Sequence, residues 1–186
     1  DNLTPTSQEA EKQAVAHLMY EIGRAVNMQY NAWSSASNTT NAYRALLENF
    51  DYAPSLRYVV ARYYTPREWQ ALMLAELKAA RPVFYTGYNS KGTAAHAFVL
   101  DGYDGKGYFH VNWGWGGMSD GYFLLHHLVP SAQGAGGESD DGYSILNDAI
   151  IGFQPSVTYA GSAKAAEYVA DQVFVIDDHV GESSTQ

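Results

Sequence analysis

An Asp-Gly dipeptide set between two apolar runs constrains this chain more than any other feature. Asp104-Gly105 separates His96-Ala97-Phe98-Val99-Leu100-Asp101-Gly102-Tyr103 from Tyr108-Phe109-His110-Val111-Asn112-Trp113. Asp-Gly between runs of this kind marks a β-hairpin closed by a two-residue turn. Such a turn pairs Tyr103 with Lys106. Counting outward puts Leu100 opposite Phe109, Phe98 opposite Val111 and His96 directly opposite Trp113, and a longer loop centred on the same point keeps this pairing. Opposed Cβ atoms lie about 4.5–5.5 Å apart, so an imidazole and an indole placed there touch. A slip of one residue instead turns Asn112 toward the face of His96.

The rest of the chain falls into two textures. Before residue 82 the apolar spacing is helical. Thr6-Ser7-Gln8-Glu9 reads as a capping box, followed by Ala14, Leu18 and Ile22 at four-residue intervals, with Val15 and Met19 beside them and Gly23 as a stop. A second helix is expected over about 40–49, with Leu46 and Leu47 inward. A third opens at Thr65-Pro66-Arg67-Glu68, a capping box with Pro at the first helical position, and carries Trp69, Leu72, Met73 and Leu77 on its apolar face. From Pro82 onward, short β-branched and aromatic runs separated by glycines predict strands at 82–88, 96–103, 108–113, 122–128 and 149–153. Helices first and antiparallel strands after is an α+β order. Residues 131–142, with four glycines, are expected to form a mobile loop. Beyond Pro155 the texture changes again: 160–170 is small and weakly helical, 173–176 is apolar, and the end is polar.

Composition removes several functions. Twenty acidic against eleven basic residues give a net charge of −9, which disfavours nucleic-acid phosphates and anionic membrane surfaces. No apolar run approaches the roughly 20 residues a membrane-spanning helix needs. There is no cysteine, so this chain has no disulfide, no thiolate metal ligand and no thiol nucleophile of its own.

A histidine opposite a tryptophan at the start of a strand has two readings. It is either a half-buried member of an aromatic sheet or a general base held by stacking, a role that a near-neutral pKa suits. The wording of the sequence shifts the weight between them toward the base. His96-Ala97-Phe98-Val99-Leu100-Asp101-Gly102, then His110-Val111-Asn112-Trp113-Gly114-Trp115-Gly116-Gly117, Ser119-Asp120-Gly121 and Tyr122-Phe123, together with Ala45-Leu46-Leu47-Glu48-Asn49-Phe50 and Pro82-Val83-Phe84-Tyr85, resemble the streptopain family of papain-like bacterial cysteine peptidases. The resemblance runs over about 11–155.

The resemblance implies a papain-like α+β fold, its sheet forming a barrel-like C-terminal half. It implies a peptidase of protein substrates that is exported as a zymogen with a propeptide and needs no cofactor. His96 would be the base that activates the thiol and Trp113 the ring stacked on it, with Asn112 the residue that a one-step slip would offer. Trp115 would line the substrate cleft, beside Ala94 and Ala95, which stand where the family usually carries Gly-Gly and narrow the cleft with two methyls. From its position just before the loop 89–95, and not from the resemblance, Tyr88 is expected as a further substrate contact. The loop at 131–142 resembles the mobile cleft-rim loop of the family. The family Cys and its oxyanion-hole Gln lie upstream of the matching region, and the first helix here matches a later family helix. The nucleophile is therefore expected on a preceding segment or another polypeptide. Residues 1–155 would then be the C-terminal part of a catalytic domain, and 156–186 an extension or the start of a further domain.

The other titratable groups read as structural. His126 and His127 are adjacent, so in a strand they face opposite sides and cannot share a metal. Asp140-Asp141 and Asp177-Asp178 are oxygen ligands of the calcium type but read as solvated loop carboxylates. Asp101 and Asp120 read as turn caps, His17 as helix packing, and His110 falls on the face opposite His96. The competing function is a non-catalytic module that stacks Trp113 and Trp115 on sugar rings or peptide.

Overall fold

The computed structural model describes residues 4–157 apart from 5, 33 and 138. The expectations for 160–170 and 173–176, the Asp177-Asp178 pair and nearly all of the proposed 156–186 unit lie outside the described residues.

Three helices precede the main sheet. α1 (Glu9–Ala25) starts two residues later than the hydroxyl-rich turn suggested: the Glu11 carboxylate accepts the Gln8 backbone N–H at 2.9 Å. Gly23 does not stop this helix. It lies buried inside it because the Tyr30 hydroxyl sits where a Cβ would be, 1.8 Å away. Burial is confined to the C-terminal end, and Leu18, Met19, Tyr20 and His17 are exposed, so His17 is a surface residue and not a packing one. A short hairpin of β1 (Gln29–Tyr30) and β2 (Ser35–Ala36) leads to α2 (Thr39–Asn49), capped by the Asn38 side chain on the Asn41 N–H. Leu46 and Leu47 are half-buried. α3 (Pro66–Lys78) carries the capping box as read, with Thr65 N–H on Glu68 at 2.8 Å. Its Trp69, Met73 and Leu77 are buried.

The strands are β3 (Arg57–Val60), β4 (Val83–Tyr88), β5 (Ala95–Tyr103), β6 (Phe109–Asn112), β7 (Gly121–Phe123) and β8 (Ile145–Ile151). They form one antiparallel sheet in the order β3-β8-β4-β5-β6-β7. The edges β3 and β7 do not pair with each other, so the sheet is open where a barrel-like closure was expected. β7 is shorter than expected because the chain turns at once, with His127 N–H on the Leu124 carbonyl at 2.8 Å. β8 begins earlier because its polar residues are bonded. Asn147 donates to the Tyr143 and Thr86 carbonyls at 3.1 and 3.3 Å, while Asp148 accepts from Thr39 and Tyr58 at 2.8 and 3.0 Å.

One face of the sheet carries α3 and the main core: Val83, Tyr85, Phe98, Leu100, Phe109, Val111 and Trp113 pack with Trp69, Met73 and Leu77. Burying one large side chain of this kind contributes about 1.5–3 kcal/mol. The other face takes the N-terminus of α2 through Thr39 and Thr86, 2.9 Å apart. His96 belongs to the core face, at its open end.

Candidate active site

The β5–β6 turn is longer than Asp-Gly implied. Asp104 N–H bonds the Tyr108 carbonyl at 3.0 Å, and the Asp104 carboxylate accepts Lys106 and Tyr108 N–H at 2.8 and 2.9 Å. Gly105 and Gly107 take positive φ, 77° and 112°, which only glycine adopts without strain. Tyr103 therefore pairs with Phe109 rather than with Lys106, a displacement of three residues. A β-bulge between Leu100 and Gly102 takes one residue back, so Leu100 faces Val111 and not Phe109, a displacement of two. An even displacement keeps every side chain on its expected face. Trp113 stays on the side of His96, but one step past the Val99–Asn112 pair and beside Phe98, whose ring lies 4.6 Å away, while Trp115 lies beyond the end of β6.

The direct opposition of His96 and Trp113 is thus corrected. Trp115 is the closest ring on His96, 4.6 Å between centroids and 23° from parallel, while Trp113 lies at 6.3 Å and 22°. Trp113 is fully buried and meets His96 through its backbone: His96 Nε2 lies 2.8 Å from the Trp113 carbonyl oxygen. A carbonyl only accepts, so Nε2 carries the proton, and in the neutral ring Nδ1 keeps the lone pair. Asn112 is exposed on the other face, its side-chain oxygen accepting Gly114 N–H at 2.9 Å, so it does not reach His96.

Behind the imidazole, β4 contributes Gly87, paired with His96. A Cβ on Gly87 would lie 1.9 Å from the Tyr143 carbonyl oxygen. This close approach brings the buried Tyr143 ring to 5.4 Å from His96. Neither Gly87 nor Tyr143 was visible as a site residue in the sequence. Tyr88 and Ala95 pair with each other one step further on, which puts both side chains on the face opposite His96. The expected substrate contacts at Tyr88 and Ala95 are not brought to the imidazole. Ala94 closes the β4–β5 loop through backbone bonds to Asn89.

Burial pushes the His96 pKa below its usual 6.5, and the Trp113 carbonyl only partly opposes it. His96 is therefore neutral at pH 7. The unfolded chain takes up this proton first, so folding stability falls as pH drops below about 6.5 toward the folded value. The depressed carboxyl groups Glu68, Glu76 and Asp141 act lower, below their ordinary ranges. Nitrogen-15 NMR of the imidazoles in this chain is expected to show His96 protonated on Nε2 and titrating below 6.5. A midpoint at or above 6.5 contradicts this geometry.

The remaining titratable groups stand apart from His96. His110 Nδ1 lies 2.5 Å from Asp101 Oδ1 on the far face, so Asp101 pairs a side chain rather than capping a turn. Asp120 accepts Trp113 N–H at 2.9 Å. Asp141 accepts from Ser90 and Ser139, and His126 and His127 are exposed. Among the described residues no three His, Asp or Glu groups are placed to hold a metal ion. None of their helices is long and apolar enough to cross a membrane.

The family model for peptidase C10 matches residues 1–123. This chain belongs to the peptidase C10 family. Streptopain from Streptococcus pyogenes is 38% identical over 159 residues, covering 83% of this chain and 39% of streptopain. The thiol protease/hemagglutinin PrtT of Porphyromonas gingivalis is 41% identical over 146 residues, covering 78% of this chain and 16% of PrtT. The structure of active interpain A, a cysteine protease of Prevotella intermedia, superposes with a TM-score of 0.69 at 32% identity, over 81% of this chain and 60% of interpain A. A prointerpain A fragment gives 0.61 at 30% identity, covering 81% of this chain and 45% of the fragment. The α+β papain-like fold is that of the C10 peptidases, and this chain spans well under half the length of streptopain. The buried position of Trp113 also takes it out of any exposed stacking platform for sugars.

Proposed function

We propose that this chain supplies the base side of a C10 cysteine endopeptidase, the nucleophilic thiol coming from outside these 186 residues. One observation carries the reading: a half-buried, neutral imidazole whose Nε2–H is engaged by the Trp113 carbonyl, leaving Nδ1 as the only basic atom. Papain-like chemistry asks this of its histidine. Nδ1 takes the thiol proton, and the thiolate attacks the peptide carbonyl carbon. The imidazolium then returns the proton to the leaving amine, and a thioester remains. His96 next deprotonates a water that hydrolyses the thioester, and the proton goes back to sulfur. The Trp113 carbonyl fixes the tautomer and, with the stack on Trp115, the ring orientation, in place of a side-chain amide. The C10 relatives support a protein substrate and a bacterial source, the prointerpain A relative supports a propeptide, and export of the precursor is part of the same proposal. In this reading residues 1–155 are the C-terminal part of the catalytic domain and 156–186 an extension.

The test compares two forms. The isolated 186-residue chain is expected neither to digest casein nor to react with an epoxide thiol inhibitor. The full-length protein is expected to do both, with labelling on one cysteine upstream of Asp1. Epoxide-insensitive digestion by the isolated chain would overturn the reading.

A further inference from the structure

We propose that Gln133 is a positioning residue that locks the 131–142 loop against Trp115 and so fixes the ring and the loop beside His96. The inference rests on the reading of His96 as the base. The Gln133 carboxamide uses both of its ends. Oε1 accepts the Tyr143 hydroxyl at 2.8 Å and the Ser139 backbone N–H at 3.1 Å, while Nε2 donates to the Ser139 carbonyl. An amide is the neutral side chain that offers an acceptor and donors at one tip, and these three partners need both.

Gly134, Ala135 and Gly137 of the loop lie against Trp115. The Ala135 carbonyl accepts the Trp115 indole N–H at 2.9 Å. A Cβ on Gly134 would lie 2.7 Å from Trp115 Cγ, and one on Gly137 would lie 2.8 Å from its Cζ2. The loop is thus flush against the ring that stacks on His96. Tyr143, the other partner of Gln133, packs on His96 from another side at 5.4 Å. The lock continues outward. The Ser139 hydroxyl lies 2.9 Å from Asp141, and Asp141 accepts the Ser90 hydroxyl from the β4–β5 loop. One side chain therefore joins the two rings nearest His96 and, through Ser139 and Asp141, both loops beside it. If His96 is the base, Trp115 and this loop would flank the peptide at the scissile bond. Gln133 then governs how tightly a peptide is held more than how fast the bound peptide reacts.

Two measurements decide this. In the 186-residue chain, Gln133→Leu is expected to raise hydrogen exchange of the Trp115 indole N–H by about five-fold, the factor carried by a hydrogen bond of ordinary net worth. Tyr143→Phe removes one hydroxyl, keeps the ring, and is expected to do the same to a smaller extent. The double variant is expected to match Gln133→Leu, because both act through one network. If Gln133→Leu does not fold, Tyr143→Phe decides alone. Unchanged exchange in a folded variant overturns the proposal, as does an additive double variant. In the full-length peptidase, Gln133→Leu is expected to raise KM for peptide substrates about five-fold with kcat within two-fold. Gln133→Glu, which keeps the acceptors and loses the donor, is expected to fall between. A lowered kcat with unchanged KM also overturns it. Absence of any peptidase activity in the full-length protein would defeat the functional reading, and the exchange measurement would still decide the lock.

Discussion

Full-length protein carrying His96→Ala is expected to lose about 10²–10⁴-fold in kcat/KM, the range that a positioned general base contributes. A thiol with a pKa near 8.5 is mostly protonated at neutral pH, and without the imidazole nothing draws off its proton. Nothing returns a proton to the leaving amine either, so both halves of the reaction suffer. The Trp113 carbonyl and the Trp115 ring hold the imidazole and have no proton to transfer, so Trp115→Phe is expected to cost far less than His96→Ala. Casein digestion, with active-site titration to count competent enzyme, checks both variants. Activity within ten-fold of wild type in His96→Ala would remove His96 from the chemistry.

The second large effect is on stability. Arg81→Ala is expected to destabilise the chain by about 3 kcal/mol, because it strips a buried carboxylate of its partner. The Glu76 side chain is only 6% exposed and holds Arg81 through two bonds, 2.7 and 3.1 Å. The Gly152 N–H adds a third at 2.9 Å, so this cluster fastens the end of α3 to the end of β8. Burial alone would push the Glu76 pKa up; the bonds to Arg81, Gly152 N–H and the Arg81 charge together outweigh burial and hold it below 4.5. A depressed carboxyl contributes stability that is present above its unfolded pKa and lost as pH falls through the folded one. The gap between wild type and Arg81→Ala is therefore widest near neutrality and narrows below about pH 4.5. Urea denaturation of the two chains at pH 7 and pH 4 measures it. The joint replacement Glu76→Leu with Arg81→Met is expected to recover most of the loss, since it removes the charge as well as its partner. A loss at pH 7 that persists undiminished at pH 4 would place the effect elsewhere than in the ion pair.

Much of this was legible along the chain. Thr65, Pro66 and Glu68 announce the start of α3 because a capping box is satisfied within one helical turn. The order of helices then strands, the buried aromatic faces of β5 and β6, and the presence of Trp113 rather than Asn112 on the side of His96 all follow from local periodicity, which the side-chain alternation of a strand preserves. The wording around His96 and Trp113 pointed to the family before any geometry was known.

Tertiary structure decided the rest, and in each case distant groups made the choice. The turn after Asp104 is longer than its dipeptide implies, and the bulge beside Asp101 compensates for it. Asp101 meets His110 across that bulge, a pairing between strands that no local rule supplies. Together these replaced Trp113 with Trp115 as the ring nearest His96. Pleat alternation, once β4 and β5 were in register, carried Tyr88 and Ala95 to the far face. Asn147 and Asp148 look too polar for a strand, yet they are bonded to Tyr143, Thr86, Thr39 and Tyr58 on other elements. Gly87 must be small because the Tyr143 backbone and the Asn147 side chain, both distant in sequence, cross it. A sequence states which backbone and side-chain groups need partners, while the fold selects those partners from residues far away, and that selection positioned the His96 imidazole.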